Sequence, residues 1–497
     1  MIAALEPHLA ILQVVVPLIS APLCSMLRRG DLAWMMAMVV SWLAFAMSIA
    51  LLAQVMATGD ISYHVGNWAP PWGIEYRIDA VNAFVLLIVS GIGAVVLPYA
   101  KKSVEREIKP SRRAHFYTAY LLCLAGLLGV TATGDAFNVF VFLEISSLST
   151  YTLVALGADA DRRALPAAYN YLVMGTVGAT FFVIGLGLMY MVTGTLNMAD
   201  LAARLPELGA NRTVDAAFAF IVVGLGLKLA MFPMHVWLPN AYTYAPSVVT
   251  AFLAATATKV AVYVLLRFVF TVFGTGFEFA ALTLTWVLIP LALAAMFVAT
   301  IAAIYQVNVK RLLAFSSVAQ LGYMVLGIGM LSTTGLTATI LHLFNHALMK
   351  GALFLAIGAV AYRVGSTNIE AMRGLGKRMP WTMAAFSAGG LSLIGVPTTV
   401  GFISKWYLVM AAIENGWWPI AVLIVASSLL AIFYVWKVIE AAYFREADDE
   451  TAIQEAPMSM LVPLWLLVLA NFYFGIDAEL TTSVATTAAK AFLGGGG

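Results

Sequence analysis

The amino-acid sequence predicts an all-α polytopic membrane protein of about fourteen transmembrane helices. Three observations carry that prediction. The 497 residues are 62% hydrophobic and only 10% charged, against about 25% charge in a soluble domain. Apolar runs of the ~20 residues needed to cross a bilayer recur along the chain. The basic residues collect between those runs, and in alternate loops. A net charge of +2, with no basic tract interleaved with aromatics, argues against a nucleic-acid partner and leaves the lipid bilayer as the surrounding medium.

In order, the candidate spans are 9–27, 32–57, 79–100, 114–132, 136–156, 167–193, 215–242, 247–271, 279–303, 311–331, 335–362, 383–413, 417–443 and 457–475. The first is preceded by neither a basic segment nor a small-residue cleavage site, so it reads as a retained helix and not a signal peptide. Loops after odd-numbered spans hold Arg28 and Arg29; Lys101, Lys102, Arg106, Lys109, Arg112 and Arg113; Arg162 and Arg163; Lys310 and Arg311; Arg363, Arg373, Lys377 and Arg378; and Arg445. Loops after even-numbered spans hold only Arg77, Arg204 and Arg212. Lys and Arg accumulate on the cytoplasmic side. The expected topology is therefore multi-pass in a bacterial cytoplasmic (inner) membrane, with both termini outside. The loop 444–456 dissents, setting Arg445 against Glu446, Asp448, Asp449, Glu450 and Glu455. Acidic residues count little in this rule, and the loop also reads as a docking surface for a neighbouring subunit.

Two spans carry an internal break. Span seven reads GLGLKLAMFPMHVWLPNAYTYAP, with Pro233, Pro239 and Pro246; span twelve reads GGLSLIGVPTTVGFISKW, with Pro397 between Gly395 and Gly401. Proline removes a backbone donor and clashes with the preceding turn, while glycine tolerates the bend. Such backbone survives in a membrane only where protein or water surrounds it. Pro233 and Pro397 lie 164 residues apart, and paired interrupted helices in two halves point to an inverted-repeat transporter. The expected units are 1–113 (helices one to three), 114–271 (a first five-helix repeat), 279–443 (a second, inverted) and 444–497 (the acidic loop, helix fourteen and a tail).

Inside these spans stand ionisable residues: Glu144, Lys228, Lys259, Lys350 and Lys405, with His342 and His346 on the helix of Lys350. A charge at mid-bilayer costs about 2.5–3.5 kcal/mol on insertion scales and is tolerated mainly against a partner or a wet cavity. Acids, bases and imidazoles strung through a membrane are what a proton path requires. Glu144, in NVFVFLEISSLSTY, and Lys228, just before the first break, are the natural ion pair of one repeat. Its alternative role is static and structural. Lys259 has no acid in its span, with Thr256 and Thr258 beside it and Tyr263 one turn on; it reads as a proton carrier or as a carbonyl-bonded lysine. Arg267, two turns further, is expected to snorkel to the surface.

His342, His346 and Lys350 recur at every fourth residue. Each step drifts only about 40°, so they form one stripe about 12 Å long. Histidine titrates near neutrality and is the usual shuttle; hydrogen-bonded structural histidines are the plainer reading. No glutamate of the H-E-x-x-H type lies between the two, so no metal is assigned. Lys405 follows the second break in GFISKW and is the last buried base toward the outside-facing end. His235, after Pro233, is either a proton-uptake group or a cap of the broken helix. Asp135 reads as a loop or cap residue. Cys24 and Cys123 lie alone in apolar runs and read as small core residues. There is no flavin, NAD or cluster motif, so no cofactor is expected and the chain itself performs no redox chemistry.

The stretches FLEISSLSTY, GLKLAMFPMHVWLPNAYTYAPSVVTAFLAATATKVAVY, HLFNHALMKGALFL and GVPTTVGFISKW resemble the proton-translocating antiporter-like subunits shared by respiratory complex I, membrane-bound hydrogenases and Mrp-type multisubunit cation/proton antiporters. The resemblance implies fourteen core helices with seven and twelve broken. It also implies a Glu144–Lys228 pair, a connecting base at Lys259, relay residues at His342 and His346, and a terminal base at Lys405. Within the family the short C-terminal end, the terminal Lys405 and the stretch YHVGNWAPPWGIEYRIDAVNAF resemble Mrp D-type subunits. What this implies is the proton-conducting subunit of a multisubunit Na+/H+ antiporter, a transport subunit and not an enzyme, partnered by other membrane subunits. The alternative is a proton-pumping subunit of complex I or a membrane-bound hydrogenase.

Overall fold

The computed structural model describes residues 6–27, 29–447 and 453–494. Backbone surrounded by hydrocarbon has no acceptor but its own preceding turn, so the apolar runs fold as helices. In chain order these are α1 (Leu9–Met26), α2 (Gly30–Thr58), α3 (Ala80–Glu107), α4 (Arg113–Ala132), α5 (Ala136–Ala155), α6 (Ala164–Thr193), α7a (Arg212–Lys228), α7b (Trp237–Tyr244), α8a (Ser247–Ala255) and α8b (Ala257–Leu266). There follow α9 (Glu278–Ile304), α10 (Val309–Gly329), α11 (Thr333–Val364), α12a (Pro380–Ile394), α12b (Val400–Glu414), α13 (Trp418–Phe444), α14 (Met458–Ile476) and α15 (Glu479–Phe492). Among the described residues 12 helices are long and apolar enough to cross a membrane, α8a and α8b counting as one with the turns to Phe273. The other two candidate spans, seven and twelve, are each a pair of short helices.

Polar residues start the helices at the span boundaries. Asp79 caps α3 with a reciprocal bond from Asn82, Asp135 caps α5 through the Asn138 amide, Asn308 caps α10 and Ser332 caps α11. Each supplies an acceptor to a backbone N–H that the first turn leaves unpaired. Cys24 and Cys123 are buried and free.

Contacts at the helix ends sort the loops into two groups. On one face a hairpin of β1 (Ile61–His64) and β2 (Glu75–Ile78) bridges through Tyr76 to Thr133 in the loop before α5. That loop in turn bridges through Asp135 to Asn197 in the loop after α6. On the other face Arg112 reaches Asp159 at 3.1 Å, the Ser247 amide donates to Glu107, Lys310 donates to the Ala245 carbonyl, and Asn308 bridges to Asn368. Even loops touch even loops and odd touch odd, as a chain crossing back and forth requires.

Three features add to the sequence reading. The hairpin puts strands into a chain read as all-α. The tail beyond span fourteen is α15, packed against α11 and α3. In the acidic loop, Glu455 is spent capping α12a, accepting from the Trp381 amide at 2.8 Å and from Thr382, while Arg445 pairs with Glu440. Asp448, Asp449 and Glu450, on which the docking reading rested, lie outside the described residues, as does Arg28.

The second break depends on close backbone approach. A Cβ on Gly401 would fall within 1.8 Å of the Ser392 carbonyl oxygen, so α12b packs on α12a only because residue 401 has none. Gly401→Ala is expected to lower the stability of the purified protein by about 1–3 kcal/mol, the cost of overpacking, read as a drop in its thermal unfolding midpoint.

Candidate functional site

The first break follows Lys228. After α7a the chain runs through Ala230 at φ 58 and past Pro233 before resuming as α7b. A side chain at positive φ is uncommon and is held only by its surroundings. The Leu227 carbonyl at the end of α7a accepts from Trp237 Nε1 at 3.0 Å and from the Ala230 amide at 3.3 Å. Lys228 donates to Glu144 Oε1 at 2.9 Å and to Ser147 Oγ at 2.7 Å. Its side chain is 6% exposed and that of Glu144 25%. His235 is partly buried, stacks on Phe232, and leaves Nδ1 without a partner; it makes no cap bond to α7b.

Span eight is also interrupted, which its sequence did not announce. At Thr256 the backbone leaves the helical region (φ −126, ψ −60). The Ala254 carbonyl accepts from Lys259 Nζ, which also donates to Thr258 Oγ1 at 3.3 Å. Lys259 is wholly buried, and its acceptors are a backbone carbonyl and a neutral hydroxyl. Lys350, equally buried, does the same across helices, donating to Leu313 O at 2.8 Å and to Ser316 Oγ on α10.

The second break presents a helix end to Lys405. The last turn of α12a stops at Gly395 (φ 94), and Thr398 follows at φ 74. Lys405 Nζ donates to the Leu393 and Ile394 carbonyls and to Ser428 Oγ, all at 2.9 Å. The Tyr323 ring lies 5.1 Å away. Unpaired carbonyls at a helix C-terminus carry partial negative charge and favour a cation.

Between the two breaks runs the stripe of α11. His342 Nδ1 is 2.7 Å from Ser404 Oγ and Nε2 is 2.9 Å from Gln320 Oε1, so this imidazole is fixed at both nitrogens. His346 is stacked on it at 5.8 Å, wholly buried, with neither nitrogen bonded. Lys259, Lys350 and Lys405 all stand near enough to interact electrostatically with His346. The structure thus gathers Lys259, His342, His346, Lys350 and Lys405 into one group. Glu144 and Lys228 form a second, and no side-chain hydrogen bond between described residues joins the two.

Sequence reasoning missed the acceptors: Ser147, Ser316, Gln320, Ser404 and Ser428. An amide or hydroxyl in an apolar span is the signal that could have found them. It also erred on Arg267, which does not snorkel. Arg267 is buried and pairs with Asp79 at 2.7 Å, because α8b packs beside the start of α3.

These features define a polytopic transport protein with a row of buried bases, two of them held at helix breaks. The chain belongs to the NADH:quinone oxidoreductase/Mrp antiporter transmembrane family, whose model matches residues 133–431. It is 41% identical to NADH-quinone oxidoreductase subunit N of Desulforudis audaxviator, over 95% of this chain and 96% of that one. It is 32% identical to the D-type subunit of the Na(+)/H(+) antiporter of Alkalihalophilus pseudofirmus, over 87% and 86%. A chain in the structure of the Mrp complex from Dietzia sp. superposes with a TM-score of 0.89 at 27% identity, covering 98% of both.

Glu144→Ala would leave the Lys228 ammonium buried with one hydroxyl. It is expected to destabilise by about 3 kcal/mol, and the double variant Glu144→Gln/Lys228→Met should recover most of that in thermal unfolding of the purified protein.

Proposed function

We propose that this chain is the proton-translocating subunit of a multisubunit Na+/H+ antiporter, carrying protons along the Glu144–Lys228–Lys259–His346–His342–Lys405 axis. The observation that carries the reading is the mode of holding the bases. Lys259, Lys350 and Lys405 are each bound by carbonyl and hydroxyl oxygens and not by carboxylates. A neutral acceptor does not tie the lysine to its charged form as a carboxylate would, so the amine is free to lose and regain a proton. The Glu144–Lys228 pair is the contrasting element, in which each charge stabilises the other. Loosening it when a proton arrives nearby releases a charge that the next base senses.

His346, stacked on His342, supplies a second imidazole within electrostatic reach of Lys259 and Lys350. His342 then faces Ser404, the neighbour of Lys405. His235, half-buried beside the first break, is the proposed uptake group. Two matching patterns support the inverted repeat at 114–271 and 279–443. Before α5, Ala136 donates to Leu196 and Met198 to Gly134; before α10, on the opposite face, Val309 donates to Thr367 and Ile369 to Val307. The basic odd loops favour the cytoplasm for their face and put both termini outside.

Partner subunits are supported by the α5 face around Glu144. Phe137, Val141 and Leu148 on that face are exposed, and the partly exposed carboxylate beside them is costly against lipid. A neighbouring membrane subunit would cover it.

The second reading is a proton-pumping subunit of a redox-driven complex, favoured by the 41% identity to a quinone oxidoreductase subunit. The native complex separates the two: Na+-dependent proton movement in vesicles without electron donor supports antiport, and proton movement only during electron transfer supports the pump. For the relay itself, Lys228→Ala and Lys405→Ala are each expected to abolish proton movement in vesicles, by a factor of about 100 or more, while the complex still assembles. Full activity in assembled Lys228→Ala complex would overturn the relay assignment.

A further inference from the structure

The odd-loop face carries a charged cavity that the proposed axis does not use. It measures about 330 Å³ and lies where α1 turns into α2, beside the end of α3 and the start of α4. Arg29, Asp31, Trp34, Lys101, Glu105 and Arg113 line it. Both carboxylates already have a cation: Asp31 meets Lys101 at 3.0 Å, and Glu105 meets Lys102 at 3.0 Å. Arg113 is held differently. Its Nε donates to the Ile108 carbonyl at 3.3 Å and its Nη2 to the Glu105 carbonyl at 2.9 Å. Among the described residues neither Arg29 nor Arg113 has a carboxylate in ion-pair reach. Two guanidinium charges of the cavity wall are therefore left without a counter-ion.

The level of the cavity in the membrane indicates which anion it meets. α1 ends at Met26 and α2 starts at Gly30, so the chain turns at the bilayer surface. Trp34 donates its indole N–H to the Leu97 carbonyl at 2.9 Å, and the Lys101 ammonium lies over its ring at 4.8 Å. Tyr117 forms another part of the wall. Tryptophan and tyrosine concentrate at headgroup level, where an apolar ring and a polar tip both find their medium. The sequence neighbours Met26, Leu32 and Met35 are exposed, an apolar surface for acyl chains. A free anion would find charge in the cavity but would leave that surface uncovered. Basic pockets between helices at the membrane surface bind anionic lipid headgroups, and arginine presents a fork that matches phosphate oxygens. Two carbonyls fix the Arg113 guanidinium, so its remaining N–H groups are oriented before a ligand arrives.

We propose that this cavity binds the phosphodiester of an anionic phospholipid of the phosphatidylglycerol type, held by Arg29 and Arg113. The headgroup ties the turn between α1 and α2 to the start of α4, and the acyl chains lie on the exposed apolar residues beside it. A zwitterionic lipid carries the same phosphodiester, but its ammonium is repelled by a wall with two unanswered cations. The site stands apart from the buried bases, so it does not depend on the relay assignment.

The test uses the assembled complex in phosphatidylcholine vesicles containing a trace of phosphatidylglycerol with a photoreactive group near its headgroup. After irradiation, mass spectrometry of this chain should find the label on 26–35 and 101–117. Doping the vesicles with unlabelled phosphatidylglycerol should displace it, while an equal amount of phosphatidylethanolamine should not. Arg29→Gln and Arg113→Gln should each lower the labelling by about fivefold, the attraction that one basic residue contributes at a membrane surface. Label absent from these segments, or displaced equally by phosphatidylethanolamine, would mean ordinary surrounding lipid and overturn the proposal. Displacement by inorganic phosphate as effective as that by phosphatidylglycerol would mean a soluble-anion site and overturn it too. Arg113→Gln removes bonds that hold the end of α3. Should that variant not assemble, Arg29→Gln decides alone: a fivefold loss supports the lipid site, and unchanged labelling removes it.

Discussion

An ammonium inside hydrocarbon needs several oxygen acceptors, and a continuous helix has already committed its carbonyls to itself. Most of the unusual backbone in this protein follows from that constraint. Lys405 is held by the carbonyls that α12a releases where it ends, and Lys259 by a carbonyl released at Thr256. Lys350 finds its oxygens across the helix interface, on Leu313 and Ser316. Positive φ at Ala230 and Thr398 costs of order 1–3 kcal/mol apiece; the second break offers its carbonyls to Lys405, whereas Lys228 at the first is held by Glu144 and Ser147. At Lys405 and Lys259 the interrupted helix and the buried charge are one feature.

The bases are held in two ways. At one end Glu144 and Lys228 stabilise each other's charge, and Ser147 adds a third bond. Toward the other end neutral oxygens hold the lysines, and His342 is clamped between Ser404 and Gln320 while His346 is unbonded. The Arg267–Asp79 pair is a second buried ion pair, just beyond the end of α8b.

Much of this was legible in the chain itself. Residues that repel lipid stand out against apolar runs, so Glu144, Lys228, Lys259, His342, His346, Lys350 and Lys405 could be named from composition alone. Pro233 and Pro397 mark their breaks because a proline has no N–H to give. The break at Thr256 carries no such mark, since threonine is compatible with a helix and only the packing of α8 decides its backbone. Arg267 misled for a related reason. Its position two turns beyond Lys259 suits snorkelling, and nothing local reveals that Asp79, 188 residues away, lies beside it.

The sequence by itself determined the medium, the spans, the alternation of loops and the identity of the buried bases. These depend on the polarity and covalent geometry of each residue, which a chain carries whatever its fold. The tertiary structure decided which oxygen answers each nitrogen: Glu144 across 84 residues for Lys228, Ser404 across 62 for His342, the Ile394 carbonyl across 11 for Lys405. A hydrogen bond requires donor and acceptor within about 3 Å, and only the packing of helices distant in sequence brings them that close.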